Sequence, residues 1–153
     1  MSAARTGSAD VKAGSAEVKA GSAEVRASVD RVVAWLEHGR TDGLYGPDVF
    51  ADLHFPHWRI QLQGSAELER LKNEMHPPGG TTTVAGVHPW ARGYVLEVEE
   101  RWEAQGEPWY CREAFICDLD DAGRIIELSY YCTGEWSQAK VAEHAEAVTL
   151  LRP

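Results

Sequence analysis

Apolar residues recur along this chain at two periods. Val29, Val32, Val33 and Leu36 fall at i, i+3, i+4 and i+7, one face of a helix. Ser28 suits its N-cap and Gly39 its stop. Leu68, Leu71 and Met75 repeat in the same way behind Ser65, an N-cap residue with Glu67 in the first turn. The run His76-Pro77-Pro78-Gly79-Gly80 ends that helix, and residues 139–148 predict a third. Elsewhere the period is two. Tyr94, Leu96, Val98, Glu100 and Trp102 share one face, and Val95, Glu97, Glu99 and Arg101 the other, as in an antiparallel strand wet on one side. Residues 109–119 and 124–133 flank Asp120-Asp121-Ala122-Gly123 and predict a long hairpin. Residues 81–87 are β-prone, and 49–53 and 57–63 read as extended segments broken at Pro56. The stretch 41–47 is turn-rich, with a short helical turn expected around Leu44-Tyr45.

This order, helix, broken strand, helix and then three or four long antiparallel strands, predicts an α+β fold: a curved antiparallel sheet with helices covering its concave face. Ahead of it, SADVKAG, SAEVKAG and SAEVRAS repeat over residues 8–28. Val11, Val18 and Val25 supply one apolar residue per heptad, half of a coiled-coil seam. Gly14 and Gly21 each cost a helix about 1 kcal/mol relative to Ala. Residues 1–27 are therefore read as a dispensable heptad-like tail, with a partner-binding heptad as the alternative, and 28–153 as one domain.

Charge and composition narrow the function classes. A net charge of −9 argues against a nucleic-acid partner, which needs clustered Lys and Arg. No apolar run is long enough to span a membrane, and the N-terminus lacks a signal peptide's apolar centre, so a cytoplasmic location is expected. Cys111, Cys117 and Cys132 are an odd set, read as free thiols in a reducing compartment. No Cys or His pair has the spacing of a structural zinc site, and there is no Gly-rich phosphate loop, so neither metal nor cofactor is expected.

The chain resembles the nuclear transport factor 2-like superfamily, whose members include SnoaL-like polyketide cyclases, ketosteroid isomerases, scytalone dehydratase and limonene epoxide hydrolase. Tyr45-Gly46-Pro47-Asp48-Val49-Phe50, Leu62-Gln63-Gly64 and Asp121-Ala122-Gly123-Arg124-Ile125 carry the resemblance. Tyr131-Cys132-Thr133-Gly134-Glu135-Trp136 looks like the ending of a SnoaL-like subgroup. The resemblance covers about residues 28–137. It implies a cone-shaped sheet and, where there is an enzyme, acid/base groups pointing into the cone. It does not choose one reaction, because the fold hosts many.

Within that frame Asp52 and His54, two apart on one strand face, are the first candidates for proton transfer. The resemblance selects the register in which they face the cavity. A shift of one at Pro56 would exchange every inward and outward residue. Glu113, the lone acid among Cys111, Phe115, Cys117 and Leu119, is a second candidate acid or base, and a strand-edge ion pair with Arg112 or Arg101 is its alternative. Tyr131 is a candidate hydrogen-bond donor to an oxyanion. Related cyclases and hydrolases place an Asp near Tyr130, Tyr131 and Thr133, and this chain departs from them there. Trp58, Tyr94, Trp102 and Phe115 are the expected substrate-binding residues, since aromatic walls suit a flat apolar ligand. The reading is a cofactor-independent cyclase, isomerase or dehydratase acting on an apolar, carbonyl-bearing molecule, expected as a homodimer. A non-catalytic ligand binder or interaction module of the same fold is the alternative.

Overall fold

A computed structural model describes residues 23–76 and 78–152. Three helices, α1 (Ala23–His38), α2 (Ser65–Met75) and α3 (Gln138–Ala147), accompany seven strands. These are β1 (Tyr45–Phe55), β2 (Trp58–Gln63), β3 (Thr81–Trp90), β4 (Gly93–Ala104), β5 (Glu107–Leu119), β6 (Ile125–Cys132) and the short β7 (Trp136–Ser137). They form one sheet in the order β2-β1-β6-β5-β4-β3, with β7 on β5. Neighbours in this order run antiparallel, except that β1 lies parallel to β6. The sheet is thus mixed, where alternation alone predicted an antiparallel one. Parallel pairing needs a long crossover, and here everything between β1 and β6 supplies it.

The hairpins follow their turn chemistry. Gln105 and Gly106 both take positive φ between β4 and β5, the combination that matches strand twist in a two-residue turn. Between β5 and β6, Asp120 Oδ1 accepts from the backbone N–H groups of Ala122 and Arg124. At Gly93 a Cβ would stand 1.8 Å from the Cys117 carbonyl oxygen, so only glycine lets β4 start flush against β5.

The core lies between α1, α2 and one sheet face. Val25, Val29, Val32 and Leu36 of α1 and Leu68 of α2 pack with Val49, Ala51, Leu53, Leu96, Val98, Phe115 and Leu128 of the sheet. The inward face predicted for β4 is observed, with Tyr94, Leu96, Val98, Glu100 and Trp102 all buried.

Three local expectations are corrected. Helix α1 is already formed at Ala23, ahead of Ser28. Ser28 is a fully buried mid-helix residue, its Oγ 2.9 Å from the Tyr94 hydroxyl. Val25, read as the last heptad of a tail, is 1% exposed in the core, so residues 23–27 belong to the domain helix. The earlier heptads, residues 8–22, lie outside the described residues. The break expected at Pro56 is observed, as the turn of a hairpin with Phe55 paired to Trp58. The helical turn expected at Leu44-Tyr45 is a simple turn over residues 42–44 that leads straight into β1.

Candidate functional site

Burial alternates along β1 with Val49, Ala51 and Leu53 inside. Asp52 and His54 therefore stand on the opposite face, away from the helices, and the inward register assigned to them is corrected. Ala51 and Leu53 are the small and apolar residues that fit under α2, so core packing fixed the register. Outside, Asp52 accepts two hydrogen bonds from Arg59, at 2.8 and 2.6 Å, and sits 3.3 Å from His54 Nε2. The His54 ring stacks on Tyr131, with centroids 4.5 Å apart and planes 7° apart. Tyr131 is itself 47% exposed on this outer face. The Arg59 hydrogen bonds pull the Asp52 carboxyl down to about 2.

The cavity lies on the other side, between α2 and the sheet. Trp35, Leu36, Leu53, Phe55, Leu68, Leu71, Met75, Phe115 and Leu128 give it apolar walls. Its polar lining is Lys72, His76, Glu100, Glu113 and Tyr130. The cavity is small, about 40 Å³, room for about three or four waters at roughly 10–15 Å³ each in this measure. Glu113 and Phe115, both read from sequence as inward, line it. Tyr94, expected as a ligand contact, is instead buried under α1. Trp58 is 71% exposed at the β1–β2 turn, because the turn lifts it off the end of the core. Trp102 is buried outside the cavity, its ring centroid 4.3 Å from that of His76.

The polar lining forms one cluster. Tyr130 donates to Glu113 Oε1 at 2.5 Å, and the Cys111 thiol donates to the same oxygen at 3.4 Å. Glu113 Oε2 and His76 Nδ1 are buried with no hydrogen-bond partner among the described residues. His76 Nδ1 lies 3.8 Å from Glu100 Oε2, and Lys72 Nζ lies 3.7 Å from Glu100 Oε1. Burial pushes both carboxyls up, with the charge of Glu113 raising Glu100 further. Burial, helped by Lys72, pulls the His76 imidazole down to about 4, so it is neutral near pH 7. Beside the cluster, Gly134 N–H donates to Cys132 Sγ at 3.2 Å. The three cysteines are free, Cys111 and Cys117 buried and Cys132 partly so. His76, Glu100 and Glu113 each offer a ligand atom within 4.8 Å of the others, as do Cys111, Glu113 and Cys132.

Sequence reading missed His76, Lys72, Glu100 and Tyr130 as site residues. Glu100 carried a signal, being the one acid on the apolar face of its strand. Tyr130 was available as the inward alternate of Tyr131. Lys72 and His76 reach the site from the end of α2, a placement that only the packing of that helix sets.

No protein-family profile matches the sequence, and no curated protein matches it. Solved structures do. An LEH-like epoxide hydrolase from M. tuberculosis superposes with TM-score 0.57 at 15% identity, over 71% of this chain and 82% of the other. An NTF-2 like protein of unknown function from Burkholderia xenovorans LB400 gives 0.54 at 16%, over 84% and 96%. The fold is nuclear transport factor 2-like. The Δ5-3-ketosteroid isomerase from a Mycobacterium species shares this nuclear transport factor 2-like architecture, with TM-score 0.55 at 19% identity over 71% and 92% of the two chains. At such identities the likeness speaks for the fold. No helix among the described residues is long and apolar enough to cross a membrane.

Proposed function

We propose that this nuclear transport factor 2-like protein is a small enzyme that carries out proton-transfer chemistry on an apolar molecule bearing a carbonyl or similar oxygen. One observation carries the reading: Glu100 and Glu113 are both buried at the polar end of an otherwise apolar cavity. Burying carboxyls costs stability unless they are paired, and one lysine at 3.7 Å is a thin counterweight. Such an arrangement is far commoner where it has a chemical use. Glu113 is the proton-transfer group, and the Tyr130 hydroxyl orients it. Isomerisation is the simplest reaction of this kind, and the SnoaL-like ending at residues 131–136 favours cyclisation as a narrower version.

Substrate entry requires the α2 side chains Leu68, Leu71 and Met75 to move aside, since the cavity as it stands admits only water-sized groups. Met75 is suited to this by its flexible, unbranched side chain. The test is turnover of β,γ-unsaturated ketones of increasing size. Glu113→Gln should lower kcat by roughly 10²–10⁴-fold, as for loss of a general acid or base. Tyr130→Phe should lower it less. Full activity in Glu113→Gln would refute the assignment. The mainly apolar lining also fits a non-catalytic carrier. That reading is favoured if such ketones quench tryptophan fluorescence, Trp35 being in the cavity wall, and none is converted.

A further inference from the structure

We infer that His76, Glu100 and Glu113 bind one divalent transition-metal ion, of which Zn²⁺ is the representative. The inference rests on the reading of this cluster as the reactive centre and names what occupies it. Three ligand atoms, one from each residue, lie within 4.8 Å of one another. His76 and Glu113 are 7% and 5% exposed, and in each a buried polar atom, Nδ1 and Oε2, lacks a protein partner. An orphan acceptor of this kind costs on the order of 1–3 kcal/mol. Two of them beside a second carboxylate form a nest of acceptors that a cation satisfies together.

The surroundings fit an ion. Glu135 Oε1 faces the other ring nitrogen of His76, Nε2, at 3.7 Å. A carboxylate behind a histidine holds the tautomer with the proton on Nε2, which leaves the Nδ1 lone pair for the metal. Glu113 is held through its other oxygen by Tyr130 and Cys111, so Oε2 is free to ligate without giving up either bond. Lys72, at 3.7 Å from Glu100 Oε1, is the competing cation, and its Nζ is also engaged with the His76 carbonyl at 3.3 Å. It brings one positive charge to two carboxylates. One nitrogen and two oxygens suit a borderline divalent ion rather than a soft one. Three protein ligands leave a fourth position, and His76, Glu100 and Glu113 all border the cavity. There an ion would polarise a substrate oxygen.

Cys111 engages the other oxygen of Glu113, Oε1, and neither it nor Cys132 is assigned as a ligand. No sequence rule reaches this site, because its three residues come from the end of α2, from β4 and from β5.

The full chain, freed of metal with a chelator and kept reduced, is titrated with Zn²⁺ alone by calorimetry. The expected result is one ion per chain, with a melting temperature that rises as Zn²⁺ exceeds the dissociation constant. His76→Gln and Glu113→Gln should each weaken uptake at least tenfold, and Cys111→Ser/Cys132→Ser should leave it within about threefold. A Co²⁺-loaded wild-type chain gives a reading that needs no variant: weak visible bands without an intense sulfur-to-cobalt band support the assignment. Absence of saturable one-to-one uptake, an intense sulfur-to-cobalt band, or uptake that survives His76→Gln would each overturn it. Turnover lost in Glu113→Gln without Zn²⁺ uptake refutes the metal and keeps the enzyme. Uptake without turnover of any ketone does the reverse.

Discussion

At the scale of the residue, one step of register decides what Asp52 and His54 do. They share a face, as their spacing requires, but that face carries solvent and the ring of Tyr131. Alternation states that two residues are together and is silent on which side they take. The decision belongs to their neighbours Ala51 and Leu53, whose burial under the helices outweighs any use the acid and histidine could have inside. Glu113 was legible for the same physical reason: Phe115 and Cys117 pin its strand face to the core. The outer cluster has its own measurable signature. Hydrogen bonds from Arg59 lower the Asp52 carboxyl from its ordinary 3.8 to about 2. A depressed folded-state value means that ionised Asp52 contributes stability above about pH 4, and that this is lost as the pH falls toward 2. A carboxyl NMR titration should place the wild-type midpoint near 2 and a distinctly higher midpoint in Arg59→Ala. Equal midpoints would show that the Arg59 pair does not hold in solution.

At the scale of the element, α1 shows where pattern reading stops short. The heptad repeat runs into the helix without a break in period, so the composition shift at Ser28 looks like a boundary although the backbone has none. Ser28 resembles a cap because serine usually is one, but here it meets Tyr94 inside the core. The consequence is a revised truncation. A chain shortened to begin at Ala27 loses Val25, and burying a valine is worth about 1.5–3 kcal/mol. Its melting temperature should fall by roughly 3–12 °C, given about 2–4 °C per kcal/mol at this size. A chain beginning at Ala23 keeps Val25 and tests the earlier heptads separately. Equal melting curves for the two shortened chains would show that the first turn of α1 contributes nothing. The hairpin of β5 and β6, by contrast, was legible in full, since a local turn and two alternating runs specify it without help from distant residues.

At the scale of the whole molecule, the architecture was legible and the location of the chemistry was not. Order and period of the elements gave an α+β sheet with helices on one face. The polar cluster is assembled by the docking of α2, which has no trace in local sequence. The outer face, on the side away from α1 and α2, exposes Ile116 and Tyr131. We propose that two copies pair through it, as expected for a homodimer. Sedimentation velocity should then show a dimer for wild type and a monomer for Ile116→Glu. A wild-type monomer at tens of micromolar refutes the pairing.

The parallel contact between β1 and β6 has a further consequence, for synthesis. Ala51 pairs with Leu128 and Leu53 with Tyr130, so the first strand to leave the ribosome waits for nearly the last. Until β6 emerges, the β1–β2 hairpin presents an unpaired edge, the kind of surface on which nascent chains associate. Contacts so distant in sequence also slow folding. Tyr130 and Glu113 come into register only when the final hairpin is complete. The cavity wall is therefore completed late, and a ribosome that stalls before residue 125 holds a chain in which Glu113 still lacks Tyr130 and the wall lacks Leu128.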